Sequence, residues 1–138
     1  MGKKFANKLW NIARYVQTKA GTTNYESGTR SAEFKDGVNK EIAQKMDVLT
    51  KEVTGLIENY NFAEAANTLY KFIWHEFADK YIEETKNKVD QETKNTLAYL
   101  LITSLKLLHP FMPFITEEIY SRLPISEKTM LLVEKWPS

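Results

Sequence analysis

Cysteine is absent from the 138 residues, and histidine occurs twice, at His75 and His109. Without thiols there is neither a disulfide framework nor a thiolate metal site. Two histidines leave few metal or acid–base constellations to test, and each fails. His75-Glu76-Phe77-Ala78-Asp79 opens like the helix of a zinc protease, but Asp79 stands where the second histidine is needed. A di-iron bundle requires a glutamate with a histidine three residues on, from each of two helices, and no such pair occurs. His109, just before Pro110, reads as a capping or packing residue. The five glycines are scattered, and none precedes Lys-Ser or Lys-Thr at the spacing of a phosphate-binding loop. Glu83-Glu84 and Glu117-Glu118 are adjacent on their helices and point about 100° apart, poor geometry for a paired acid and base. No catalytic residue and no metal site are expected. Long apolar runs are also lacking: a membrane span needs roughly 20 such residues, and even Leu97 to Leu108 is interrupted by Tyr99, Thr103, Ser104 and Lys106. There is no apolar N-terminal leader. The expectation is a soluble, membrane-free protein of a reducing, cytoplasmic setting.

What is present is the raw material of one core. The chain has the size of a single domain, with 43% hydrophobic and 27% charged residues. Its charge is unevenly placed. Of 19 lysines and arginines, five (Lys3, Lys4, Lys8, Arg14, Lys19) fall in residues 1–20, where there is no acid, so the remainder of the chain is net acidic. The same segment repeats apolar residues at Phe5, Leu9, Ile12 and Val16, with Trp10 and Ala13 widening the stripe, which is the pattern of an amphipathic helix. On its opposite side fall Lys4, Asn7, Lys8, Asn11, Arg14 and Tyr15. On charge alone, a solvated helix face and a binding face stand equally open.

Residues 20–37 carry Gly21, Gly28 and Gly37 among Thr, Asn and Ser and show no sustained period, so they read as a loop with a short helical turn around Ala32. Val38 to Tyr60 repeats Ile42, Met46, Leu49, Val53, Leu56 and Ile57 at three-to-four spacing, a long helix. Asn61 with Glu64 has the form of a capping box and opens a helix to about Asn87. Phe62, Ala66, Leu69, Tyr70, Phe72, Ile73, Trp74, Phe77, Tyr81 and Ile82 cover more than half of that helix, which suits a central helix buried by several neighbours, with Trp10, Trp74 and Phe77 assigned to the core. Asp90 or Gln91 starts a fourth helix that runs into an elbow. There Pro110 lacks an N–H and pushes His109 out of the helical region, while Pro113 suits the first position of a new helix. Glu117 and Glu118 favour that helix's positive end. Phe111, Met112, Phe114 and Ile115 crowd apolar surface around the corner, so other helices should cover it. After Leu123 the run Met130-Leu131-Leu132-Val133 reads as a brief strand in an extended tail. The fold class is all-α, an antiparallel bundle of about five helices with a short extended C-terminal tail.

Three blocks, in order and spacing, carry a family resemblance. They are Lys3-Lys4-Phe5-Ala6-Asn7-Lys8-Leu9-Trp10-Asn11 with Ala13-Arg14-Tyr15, then Phe72-Ile73-Trp74-His75-Glu76-Phe77-Ala78-Asp79-Lys80-Tyr81-Ile82-Glu83, then Leu108-His109-Pro110-Phe111-Met112-Pro113-Phe114-Ile115-Thr116-Glu117-Glu118-Ile119. Together they resemble the anticodon-binding domain of class I valyl-tRNA synthetases, over nearly the whole chain. Isoleucyl and leucyl enzymes share weaker forms of each block. The first block and the closing Glu134-Lys135-Trp136-Pro137 lean towards the valyl family, whereas Val38 to Met46 departs from it. The resemblance implies recognition of a tRNA anticodon stem-loop in support of charging tRNA(Val). It places the contacts on the first helix, at Lys4, Asn7, Lys8, Asn11, Arg14 and Tyr15. It also implies that residues 1–138 are an excised helical domain, monomeric by itself. Neither a His-x-Gly-His nor a Lys-Met-Ser-Lys-Ser motif occurs, so ATP chemistry and editing belong to other domains of the parent chain, and the catalytic domain is a partner. This piece itself is expected to need no cofactor. The competing reading is a helical protein-interaction module that docks through Phe34, Trp136 and the Met130 to Val133 run.

Overall fold

The computed structural model describes residues 3–20 and 37–123 of the chain. They form five rods: α1 (Lys3–Ala20), α2 (Gly37–Glu58), a third that passes without a break from α3 (Phe62–Lys71) through a π-helical segment (Phe72–Tyr81) into α4 (Ile82–Glu84), then α5 (Gln91–Leu108) and α6 (Pro113–Ser121). No strand occurs among the described residues, and the all-α bundle expected from the periodicities is what forms. The loop around Ala32, Phe34, the Met130 to Val133 run and Trp136 lie outside the described residues.

The third rod packs on α1, α2 and α5, as its aromatics suggested, and α5 lies at the centre of the bundle beside it. Leu97, Leu100, Leu101, Leu105, Leu107 and Leu108 are all fully buried, and α5 packs against α1, α2, α3 and α6. Its buried polar residues differ: the Ser104 hydroxyl has no partner among the described residues, while others bond along the helix. The Thr96 hydroxyl donates to the Glu92 carbonyl four residues back, and Thr50, Thr54, Thr85 and Thr116 do the same on their own helices. The third rod's aromatics divide. Phe77 and Tyr81 are buried, while Tyr70 and Trp74 are partly covered and stack on Phe5 of α1, with ring centroids 4.8 Å and 6.4 Å away. Phe62 lies half-exposed, edge-on to Tyr60.

The π-helical winding has a sequence cause that period-3.6 reading passes over. Ala65, Leu69, Ile73, Phe77, Tyr81 and Thr85 are all buried, each four residues after the last. In an α-helix a step of four overshoots a full turn by about 40°, so such a stripe winds around the rod and off the core. Bonds from i to i+5 wind the chain more slowly, and a step of four then falls short of a turn. The Ile82 N–H, which donates to the Phe77 carbonyl, shows that longer bond. Alternating the two windings keeps the whole stripe on one side.

The junctions follow local chemistry, with some departures from expectation. α2 ends at Glu58 because the Asn61 N–H returns to the Leu56 carbonyl (2.8 Å) and the Tyr60 N–H to that of Ile57 (3.0 Å), the Schellman closure. Tyr60 takes the left-handed position (φ 61°) that glycine usually fills. Asn61 makes no backbone cap; its side-chain amide donates to Glu64 at 2.8 Å, so the predicted box closes between side chains only. Asp90 does cap α5, accepting from the Thr93 N–H (3.1 Å) and hydroxyl (2.9 Å).

At the elbow His109 keeps helical dihedrals (φ −51°, ψ −44°) despite the following proline. The chain turns one step later, with the Phe111 and Met112 N–H groups both on the Leu108 carbonyl at 2.9 Å. Pro113 opens α6 as expected, and His109 Nδ1 lies 3.0 Å from Thr116 Oγ1, fastening the corner. Glu117 and Glu118 fall beyond the first turn of α6, where the helix dipole has faded. Phe114 is 90% exposed, so the bundle covers only part of the corner's apolar surface.

Among the polar ties between helices, those at Asn39 and Tyr99 lie deepest in the bundle. Buried Asn39 of α2 accepts from the Tyr81 hydroxyl (2.5 Å) and donates to Thr93 of α5 (3.5 Å). Tyr99 of α5 donates to Asp47 of α2. Burial first, and then the bond to the Asp47 carboxylate and its charge, hold the Tyr99 hydroxyl well above its usual pKa.

Leu108→Ala is expected to cost about 2–5 kcal/mol in urea unfolding, the range for a cavity in a packed core; a change under about 0.5 kcal/mol would put Leu108 outside the core. Because the folded pKa of Tyr99 is raised, its contribution is fully present below about pH 10, the unfolded value, and is lost as pH rises towards the folded one. Unfolding free energy should therefore fall less steeply above pH 10 in Tyr99→Phe than in the parent chain. Identical slopes would show that the Tyr99–Asp47 bond does not set alkaline stability.

Candidate nucleic-acid interface

The apolar stripe of α1 goes where its spacing sends it: Phe5, Leu9, Ile12, Ala13 and Val16 are buried, and α1 packs on α5, the π-helical segment and α6. The opposite face is thereby turned outward, but its two edges meet different neighbours. Lys8 and Tyr15 lie about 100° and 80° around the helix from Asn7, towards the third rod. Trp10 lies on the other edge, towards α6.

On the first edge the side chains are engaged. Lys8 Nζ is 3.0 Å from Asp79 and stands over the Trp74 ring at 5.0 Å. Tyr15 is half-buried under Lys19, whose Nζ sits 5.8 Å from its ring centroid and donates to the carbonyls of Thr85 (2.9 Å) and Lys86. The Tyr15 hydroxyl is buried with no hydrogen-bond partner among the described residues. Burial pushes its pKa up, with nearby Lys86 opposing and Glu83 adding to the rise.

Over the middle of the face and its second edge the arrangement is open. Lys4, Asn7, Asn11 and Arg14 are exposed. Asn7, Asn11 and Arg14 join Trp10 and Arg122 around a groove where α1 meets the end of α6. The Arg122 guanidinium lies over the Trp10 ring at 5.2 Å. The six residues named from the sequence thus separate into an open set (Lys4, Asn7, Asn11, Arg14) and a packed pair (Lys8, Tyr15). Trp10, assigned to the core, packs against it and also forms a wall of the groove. Arg122 was missed because helical spacing on α1 carries no information about which distant helix end will lie beside it.

Among the described residues no group of histidine and acidic side chains is placed to hold a metal, and no helix is long and apolar enough to cross a membrane. The open face offers cations, amides and an indole, without an acid on α1 itself: the donors and ring surfaces that suit phosphates and unstacked bases.

The family of anticodon-binding domains of tRNA ligases matches this sequence over residues 39–138. The chain belongs to that family. As an anticodon-binding domain it also has relatives that extend the match across α1. It is 40% identical over 140 residues to a valine–tRNA ligase of Thermotoga maritima, an alignment covering 98% of this chain and 16% of the relative. To the valine–tRNA ligase of Fervidobacterium nodosum it is 37% identical, covering 98% and 16%. To that of Geobacillus stearothermophilus it is 40% identical, covering 96% and 16%. The chain therefore spans about one-sixth of the length of the curated relatives it matches.

A buried hydroxyl without a partner carries a desolvation cost of about 1–3 kcal/mol. Tyr15→Phe removes that group and keeps the ring, so it is expected to stabilise the anticodon-binding domain by about 1 kcal/mol in urea unfolding. A loss of similar size would mean that the hydroxyl is satisfied in solution.

Proposed function

We propose that this domain grips the anticodon stem-loop of tRNA(Val) as part of a valine–tRNA ligase, with the outward face of α1 against the loop. The observation that carries the reading is the sidedness of α1. Its apolar stripe is consumed by the bundle, and what remains outside is Lys4, Asn7, Asn11 and Arg14, without an intervening acid. The likeness to valine–tRNA ligases across 98% of the chain supports the choice of tRNA.

Positioning and reading divide between these residues. Lys4 and Arg14 supply charge for phosphates, and Asn7 and Asn11 supply amides that can donate and accept at base edges. Lys8 joins them by exchange. Its pair with Asp79 is partly solvated, with 29% and 49% of the two side chains exposed, and such a pair is modest in strength, so a phosphate can replace the carboxylate. Tyr15 adds a ring at the packed edge, where a base could stack only on the part that Lys19 leaves uncovered. Valine activation with ATP belongs to other domains of the parent enzyme, and this domain's contribution is to hold the tRNA in register for them.

Titrating the chain with the tRNA(Val) anticodon stem-loop and with a stem-loop of scrambled loop sequence tests the reading. Tighter binding to the matching loop is expected. Lys8→Gln should weaken both and make the salt dependence shallower by roughly 0.7–0.9 in log–log slope, while Lys94→Gln, off this face, should do little. Equal affinity for the two loops would overturn the proposal.

A further inference from the structure

Arg122 follows α6, at the far end of the sequence from α1, yet it closes the groove on α1. Two contacts fix its guanidinium there. Its Nε and Nη2 both donate to Glu118 Oε1, at 3.1 Å and 2.8 Å, and the group lies over the Trp10 ring at 5.2 Å. The carboxylate restrains the planar group along one edge and the indole supports it from one side, within the range of a cation–π contact. A plane placed this way offers its open side as a stacking surface for a base. Opposite it stand Asn7 and Asn11, one helical turn apart, with Arg14 a further turn along. The open space between them is about 530 Å³, room for a nucleobase and its sugar.

We infer that this groove is a bay for one unpaired base of the bound RNA loop, stacked on the Arg122–Trp10 pair. Asn7 and Asn11 read its edge and Arg14 takes its phosphate. The inference rests on the stem-loop reading above and adds to it a contact from α6, so that loop recognition spans two helices remote in sequence. Glu118 acts as a positioning residue, because it touches the arginine and not the base.

The test compares the chain with its Arg122→Lys variant on the tRNA(Val) anticodon stem-loop and on a series with one loop nucleotide at a time made abasic. Lysine keeps the charge and loses the plane. The variant should bind the intact loop about tenfold more weakly, with an unchanged salt slope. One abasic position should weaken the parent chain clearly more than it weakens the variant. Equal affinity of parent and variant, or the same abasic profile for both, would overturn the bay while leaving stem-loop binding intact. If the parent chain does not prefer the matching loop, the stem-loop reading fails and the bay falls with it. Arg122 is exposed, so the fold is not expected to suffer. Should circular dichroism nevertheless show lost helix, Asn7→Ala, exposed on α1, takes its place: the bay predicts that its loss depends on the base at that same position, and a uniform loss or none would overturn it.

Discussion

A stripe of buried residues spaced four apart cannot stay on one side of a long α-helix. Ala65, Leu69, Ile73, Phe77, Tyr81 and Thr85 form such a stripe, and the rod that carries them reconciles it with a single core by slackening its winding between Phe72 and Tyr81. Both flanking helices depend on that solution. α2 meets the slackened segment through Lys45, 3.3 Å from Glu76, and through Asn39 on Tyr81. α1 meets it through Phe5 against Trp74 and Lys8 against Asp79. Were the rod α-helical throughout, the stripe would turn away from α5, and Trp74 and Asp79 would present themselves at other angles to α1.

The orientation of the basic face therefore comes from the rod as much as from α1. An amphipathic helix fixes which side faces the core, but not which neighbours border the side left over. Here the rod covers the edge with Lys8 and Tyr15, and α6 borders the edge with Trp10. The elbow decides the second of these. By turning after His109 and restarting at Pro113, the chain sets α6 beside α1 and delivers Arg122 to the groove.

The parts of this architecture legible in the sequence are those governed by local rules. The burial of Phe5, Leu9, Ile12 and Val16, the Asp90 cap and the start of α6 at Pro113 each follow from neighbours within one or two turns. The parts that were not legible depend on residues far apart. Nothing near Asn39 announces a buried amide, because its partners Tyr81 and Thr93 lie 42 and 54 residues away. The density of aromatics on the third rod suggested a central helix, and that rod packs on α1, α2 and α5, but nothing local showed that α5, with its leucines gathered on one side, would be buried against four neighbours. The pre-proline rule misjudged only the dihedrals of His109, which stay helical although α5 ends at Leu108, since it expresses a preference that two hydrogen bonds to Leu108 outweigh. The open members of the face were legible from helical spacing, and Arg122 could be found only in three dimensions.

Thr50, Thr54, Thr85 and Thr96 close their hydroxyls on their own helices, and this has a mechanical side. A hydroxyl satisfied internally makes no directional demand on the neighbouring helix, so a contact lined by such groups resists separation but yields to small sliding. Directional bonds at Asn39 and Tyr99 clamp α2 to the third rod and to α5. α1 is held by apolar packing and by Lys8 and Lys19, long side chains with many hinges. The bundle thus has a stiff joint and a compliant one. The helix that carries the groove sits on the compliant joint, where it can shift slightly without breaking the buried bonds at Asn39 and Tyr99.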